Sequence, residues 1–312
     1  MTALRTRGLG SPYVLLTLTM LFWSFNWVIG RGIVGHVSPL ALTFFRWTVA
    51  VAAMLPFAWK QIVAHRAQVR RHWKTIAWLG FWGTGLHNAF AYVGLQYTTA
   101  TNGVILNSAI PVLIILMGWV IYRDTITRRQ ALGVGVSIVG ILTIIARGDL
   151  GVLATLSLNH GDLILLVGMV FWAGYTIFQR MKPAEIPPLV MLTCCGVVGV
   201  SLLTPLFAAE MLQLMPWRGH VEWTPGTVAA MLYVGIFPSF VGYVFWNRGV
   251  AEVGPAIAGI FVHLMPAFGA LLAWIFLDER IRVFHLVGIG LILAGITLTT
   301  RGRRLPPEPA PE

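Results

Sequence analysis

Ten apolar runs, at about 12–31, 38–59, 73–97, 100–122, 130–147, 161–180, 187–209, 225–248, 253–277 and 284–300, take up most of this 312-residue chain. Crossing a hydrocarbon layer about 30 Å thick takes about 20 helical residues. Within that layer only a helix or a closed barrel leaves no backbone polar group unpaired. Runs of this length read as helices, and the segments between them are too short to fold as soluble domains. The predicted fold is therefore an all-α integral membrane protein with ten transmembrane helices. With 57% hydrophobic and 11% charged residues, the composition lies far from that of soluble chains. The first run follows Arg5 and Arg7 but has no small-residue cleavage site, so it reads as a retained helix rather than a secretory signal.

The net charge of +11 would point to nucleic acid in a soluble chain, but here topology accounts for it. When successive loops are placed on alternate sides, the side holding the N-terminus receives sixteen of the 22 Lys and Arg residues. The other side receives five, and Arg46 lies within a span. By the positive-inside rule both termini are expected in the cytoplasm. The proline-rich tail over 301–312 is expected to be disordered.

The runs repeat. At a constant offset of 155, Gly80 meets Gly235, Phe90 meets Phe245, Ile105 meets Ile260, Pro111 meets Pro266, Trp119 meets Trp274 and Gly140 meets Gly295. Asp124 in "YRDTITRRQALG" likewise meets Glu279 in "LDERIRVFHLVG". At an offset of 149, "MLFWSFNWVIGR" aligns with "MVFWAGYTIFQR", which pairs Trp23 with Trp172 and Arg31 with Arg180. Five spans have been duplicated, over 12–147 and 161–300. Because five is odd, the second copy enters the membrane from the opposite side. Such an inverted repeat is an architecture of secondary transporters, with the substrate near the midplane between the repeats.

The "FWSFNW" first helix, the second helix with its arginine, and the block "AYVGLQYTTA…NSAIPVLIILMGWVIYRDTITRRQALGVGVSIVGILT" with its echo ending "LMPAFGALLAWIFLDERIRVFHLVGIGLILAGITL" resemble the drug/metabolite transporter superfamily and its EamA-type ten-helix carriers. The resemblance spans roughly residues 12–300, with Asp124 standing where the family pattern usually has glutamate. It implies a secondary carrier of metabolites, exporters of amino acids among them, and names no substrate.

Polar residues inside spans are the candidates for the substrate site. Trp23, Asn26, Trp27 and Gly30 share one face of the first helix, and Trp172, Tyr175, Thr176 and Gln179 share the equivalent face of the sixth. His87, Asn88 and Tyr92 on the third helix answer to Tyr243, Trp246 and Asn247 on the eighth. Asn107 and His263 lie close to Pro111 and Pro266, two mid-run prolines read as hinges. Arg46 sits about 12 Å into the second helix. Two readings of it stay open, a partner on another helix or a substrate carboxylate.

The eleven acids all fall at or near span ends, so a lipophilic cation would find no buried counter-charge. A phosphorylated substrate would want several convergent Lys or Arg residues, and the spans hold one. A small neutral or zwitterionic solute remains, most readily an amino acid, with a wider range of metabolites or neutral drugs as the alternative. A non-transporting scaffold or receptor is the alternative of another class.

No zinc motif, nucleophile elbow or P-loop occurs, and the adjacent Cys194 and Cys195 read as packing. The chain is accordingly expected to be no enzyme and to use no metal or cofactor. Its expected partners are a small-molecule substrate and the lipid bilayer, with no nucleic acid, and it is expected to work as a monomer or weak dimer. The expected location is a bacterial cytoplasmic membrane, with movement driven by the substrate gradient and without obligatory proton exchange.

Overall fold

A computed structural model describes residues 10–33, 35–98, 106–146, 151, 159–277 and 282–300. The predicted tail, nearly all of the 148–158 connector, and Asp278 and Glu279 lie outside the described residues. Among those described, ten helical segments stand where the apolar runs predicted them. They are α1 (Pro12–Gly32), α2 (Pro39–Ala64), α3 (73–94), α4 (Ile110–Tyr122), α5 (Arg128–Ile145), α6 (160–181), α7 (Pro188–Met211), α8 (225–253), α9 (255–277) and α10 (Val283–Thr300). A short helix, Arg66–Arg71, lies between α2 and α3. The chain is an all-α membrane protein.

Several starts are capped as their sequences direct. Thr127 and Gln130 form a capping box at α5, as Asn159 and Asp162 do at α6, each satisfying amides that the first helical turn would leave bare. The start of α2 uses a distant group instead. The Glu210 carboxylate, at the end of α7, accepts from the Leu40 and Ala41 amides at 3.1 and 2.7 Å and from the Ser38 hydroxyl at 2.6 Å. The Trp217 indole donates to it as well, at 2.6 Å.

Helix packing exchanges the two halves. Helix α1 packs on α8 and α9, while its repeat mate α6 packs on α3 and α4. Helix α2 likewise packs on α8 while its mate α7 packs on α3, and two strong contacts join mates directly, α2 with α7 and α5 with α10. That pattern is what a two-fold relation between the repeats produces, and an odd number of spans per repeat makes the repeats inverted. At the α5–α10 seam the backbones nearly touch: a Cβ on Gly140 would lie 2.6 Å from the Gly288 carbonyl oxygen, and one on Gly288 2.7 Å from that of Gly140. Of the pairs Gly133/Gly135 and Gly288/Gly290 only the first member of each serves the seam, since Gly135 and Gly290 have open space.

Irregularities repeat too. Helix α3 carries a π-helical turn over Gly80–Leu86, and α8 carries one over Gly235–Val241, the same seven positions at the 155-residue offset. Each of the two mid-run prolines follows a local break in its run. The chain turns at 108–109 before α4, and a 3₁₀ turn over Phe261–His263 precedes Leu264–Leu277, so Pro111 and Pro266 both fall in first turns. A first turn suits proline because the N–H it lacks would have no intrahelical partner there.

Candidate functional site

Between the repeats lies a cavity lined from both halves. Its wall is aromatic and amide-rich: Trp23, Asn26 and Trp27 come from α1, and His87, Asn88 and Tyr92 from α3. Trp172 and Met169 of α6, Tyr243 of α8 and Met265 of α9 close it at mid-bundle, with Asn107 just ahead of α4. Most of these positions lie at mid-bundle or in the half away from the two termini, where Leu95 also lines it.

Arg46 is the one Lys or Arg in this wall, and it is 3% exposed. Its Nε donates to the Ser239 hydroxyl at 2.5 Å, and Nη1 donates to the Tyr92 hydroxyl at 3.1 Å. Tyr92 in turn donates to Asn26 Oδ1 at 3.1 Å. Arg46 forms no salt bridge among the described residues. Neutral hydroxyls thus fix the guanidinium without neutralising it, and its charge stays available to the cavity.

The aromatic rings form a continuous cluster. Trp23 meets Trp172 edge-on at 4.8 Å, and Tyr243 packs on Trp172 at 5.3 Å and on Trp47 at 4.8 Å. His87 Nδ1 donates to the Gly168 carbonyl at 2.8 Å, which anchors the ring beside Trp172.

Nine of the fourteen sequence-predicted site residues therefore share the cavity wall. The structure places the other five elsewhere. Tyr175 and Gln179 both donate to Asn247 Oδ1, the tyrosine at 2.9 Å, and this buried knot closes the half of the bundle nearer the termini. Trp246 is fully buried behind Trp23 and Trp172. His263 donates through Nε2 to the Ser108 carbonyl at 3.2 Å. Helical periodicity selected these faces, but it does not distinguish the end of the bundle that holds the cavity from the end that this knot closes. Ser239 and Glu210 were missed as partners, because contacts between Arg46 and Ser239 or between Ser38 and Glu210 span more than 170 positions and leave no local pattern.

At the closed end Arg180 donates to both Asp124 oxygens, at 2.9 and 2.5 Å, and lies over the Tyr122 ring. This arginine holds the Asp124 carboxyl below the usual carboxylate range.

The profile of the EamA-like transporter family matches twice, over residues 10–146 and 159–301. The chain belongs to that family. It is 28% identical to the uncharacterized transporter YyaM of Bacillus subtilis over 94% of this chain and 95% of that one. An uncharacterized transporter of Archaeoglobus fulgidus is also 28% identical, over 92% and 96%. The WAT1-related protein At3g30340 of Arabidopsis thaliana is 22% identical, over 86% of this chain and 80% of that one. A crystal structure sharing 17% identity superposes with a TM-score of 0.73 over 93% of this chain and 96% of its own, which shows a common fold. By family and by these relatives, the chain is a membrane transporter.

Proposed function

We propose that this transporter exports amino acids by alternating access across a bacterial cytoplasmic membrane, with both termini in the cytoplasm. The observation that carries the reading is the Arg46 guanidinium, uncompensated by any carboxylate among the described residues and set among aromatic rings. A substrate carboxylate beside Arg46 supplies the missing counter-charge. An apolar or aromatic side chain rests against Trp23, Trp172 and Tyr243, and the ammonium meets amide oxygens and ring faces. The absence of any Asp or Glu from the described cavity wall argues against a substrate with net positive charge.

The charge bias between loops supports a reading in which the cavity's open end faces out of the cell. The breaks ahead of Pro111 and Pro266 supply equivalent hinges in the two repeats. Uptake of labelled phenylalanine and leucine into proteoliposomes tests the proposal. Counterflow that saturates and is competed by other amino acids supports it. Transport of a solute lacking a carboxylate, with no effect of amino acids, would replace it with a broader metabolite or drug carrier.

A further inference from the structure

The two π turns each present a carbonyl to the centre of the bundle, and these carbonyls, Gly83 O and Pro238 O, are repeat mates. In α8 the Gly242 amide reaches back five residues to Phe237, so it does not occupy the Pro238 oxygen. The Trp23 indole N–H donates to that oxygen at 2.9 Å. Gly83 O accepts from the Tyr243 hydroxyl at 2.8 Å.

Repeat symmetry supplies a second set of donors. The mate of Trp23 is Trp172, and the mate of Tyr243 is Asn88. Both are buried, and Trp172 Nε1 and Asn88 Nδ2 make no hydrogen bond. The Asn88 amide faces the Tyr243 hydroxyl closely enough to act on it, but its Nδ2 has no partner in hydrogen-bonding geometry. Each donor that is satisfied thus has a stranded mate, and the two accepting carbonyls are mates of one another. Buried donors in native proteins are nearly always paired, so two stranded mates of bonded groups need an explanation.

We propose that the Trp23 and Trp172 indoles are reciprocal latches, each engaged in one of the two end states of transport. When the repeats exchange conformations, Trp172 donates to Gly83 O and Asn88 to Pro238 O, while Trp23 and Tyr243 let go. Two bonds exist in either state and two donors are stranded in either, so the exchange leaves the end states close in energy. A carrier cycling in both directions needs that balance. The inference rests on the alternating access proposed above but not on an amino acid as substrate, and its test uses no substrate.

Leu95 lines the cavity, and its repeat mate Val250 is buried at the closed end. In a background with Cys194 and Cys195 replaced by alanine, Leu95→Cys and Val250→Cys report the two states by their rates of reaction with a water-soluble maleimide in detergent. Trp23→Phe removes a bond made only in the present state. It should speed labelling at 250 and slow it at 95, by about threefold to tenfold, the worth of one hydrogen bond. Trp172→Phe should do the reverse. Tyr243→Phe and Asn88→Ala repeat the two arms and decide the matter if either tryptophan variant fails to fold. Opposite signs in the two arms support the latch. Shifts of the same sign, or unchanged rates in folded protein, would overturn it and leave the indoles as packing alone.

Discussion

His263 Nε2 lies 3.2 Å from the carbonyl oxygen of Ser108, the residue that occupies its own position in the other repeat. Mates that touch must sit on the two-fold axis, so this bond marks where the repeats cross. A histidine anchored there serves as a joint. Uptake should therefore reach the same plateau with and without an imposed pH gradient, and His263→Gln, which keeps a donor, should retain transport. His263→Leu should lower stability by about 1–3 kcal/mol through the orphaned carbonyl. Gradient-dependent accumulation that vanishes in His263→Gln would instead make it the proton carrier.

The Asp124–Arg180 pair has a defined pH window. Because the folded-state pKa of Asp124 is lowered, its contribution is complete above the unfolded value of about 4 and is lost as pH falls through the folded value. Both side chains are more than a third exposed, so Asp124→Asn should cost no more than about 1 kcal/mol. Thermal unfolding followed from pH 8 to 3 should show the difference between wild type and this variant constant down to about pH 4 and shrinking below it. A difference that already fades near pH 6 would assign the stabilisation to another group.

The Glu210 carboxylate is fully buried and satisfied by four donors. Glu210→Gln replaces an acceptor oxygen with a donor facing other donors, which should lower stability by about 2–4 kcal/mol. Thermal unfolding of the purified variant checks this. A change under about 0.5 kcal/mol would show that water caps α2 equally well.

The α5–α10 seam tests the two-fold packing. Gly140→Ala drives a methyl into the Gly288 carbonyl, and unfolding should be easier by about 1–3 kcal/mol. Gly290→Ala meets nothing within 4 Å and should be neutral or stabilising. Equal effects at both sites would mean that the helices do not meet at this face.

Much of this was legible in the sequence because membrane helices leave periodic traces. The repeat offset alone predicted that the stripes on α1, α3, α6 and α8 belong together. It could not say which end of the bundle is open, so Tyr175, Gln179 and Asn247 were grouped with residues they do not join. Trp119 and Trp274 show the same limit: their correspondence is plain in sequence, but both rings are about half exposed and face outward from the bundle. Glu210 read as a helix-end acid because its partners at 38–41 and 217 lie outside any local window. The proline breaks were hidden because hydropathy does not register a turn inside an apolar run.

The central claim is that Arg46 binds a substrate carboxylate, and ligand binding to the purified transporter tests it most directly. Phenylalanine and its decarboxylated amine differ in that one group, and Arg46→Gln removes the charge that would recognise it. Isothermal titration should show phenylalanine binding to wild type at least about tenfold more tightly than the amine, and that preference should disappear in Arg46→Gln. Equal affinity for both ligands in wild type, or an undiminished preference in a folded Arg46→Gln, would contradict the account and return Arg46 to a purely structural role.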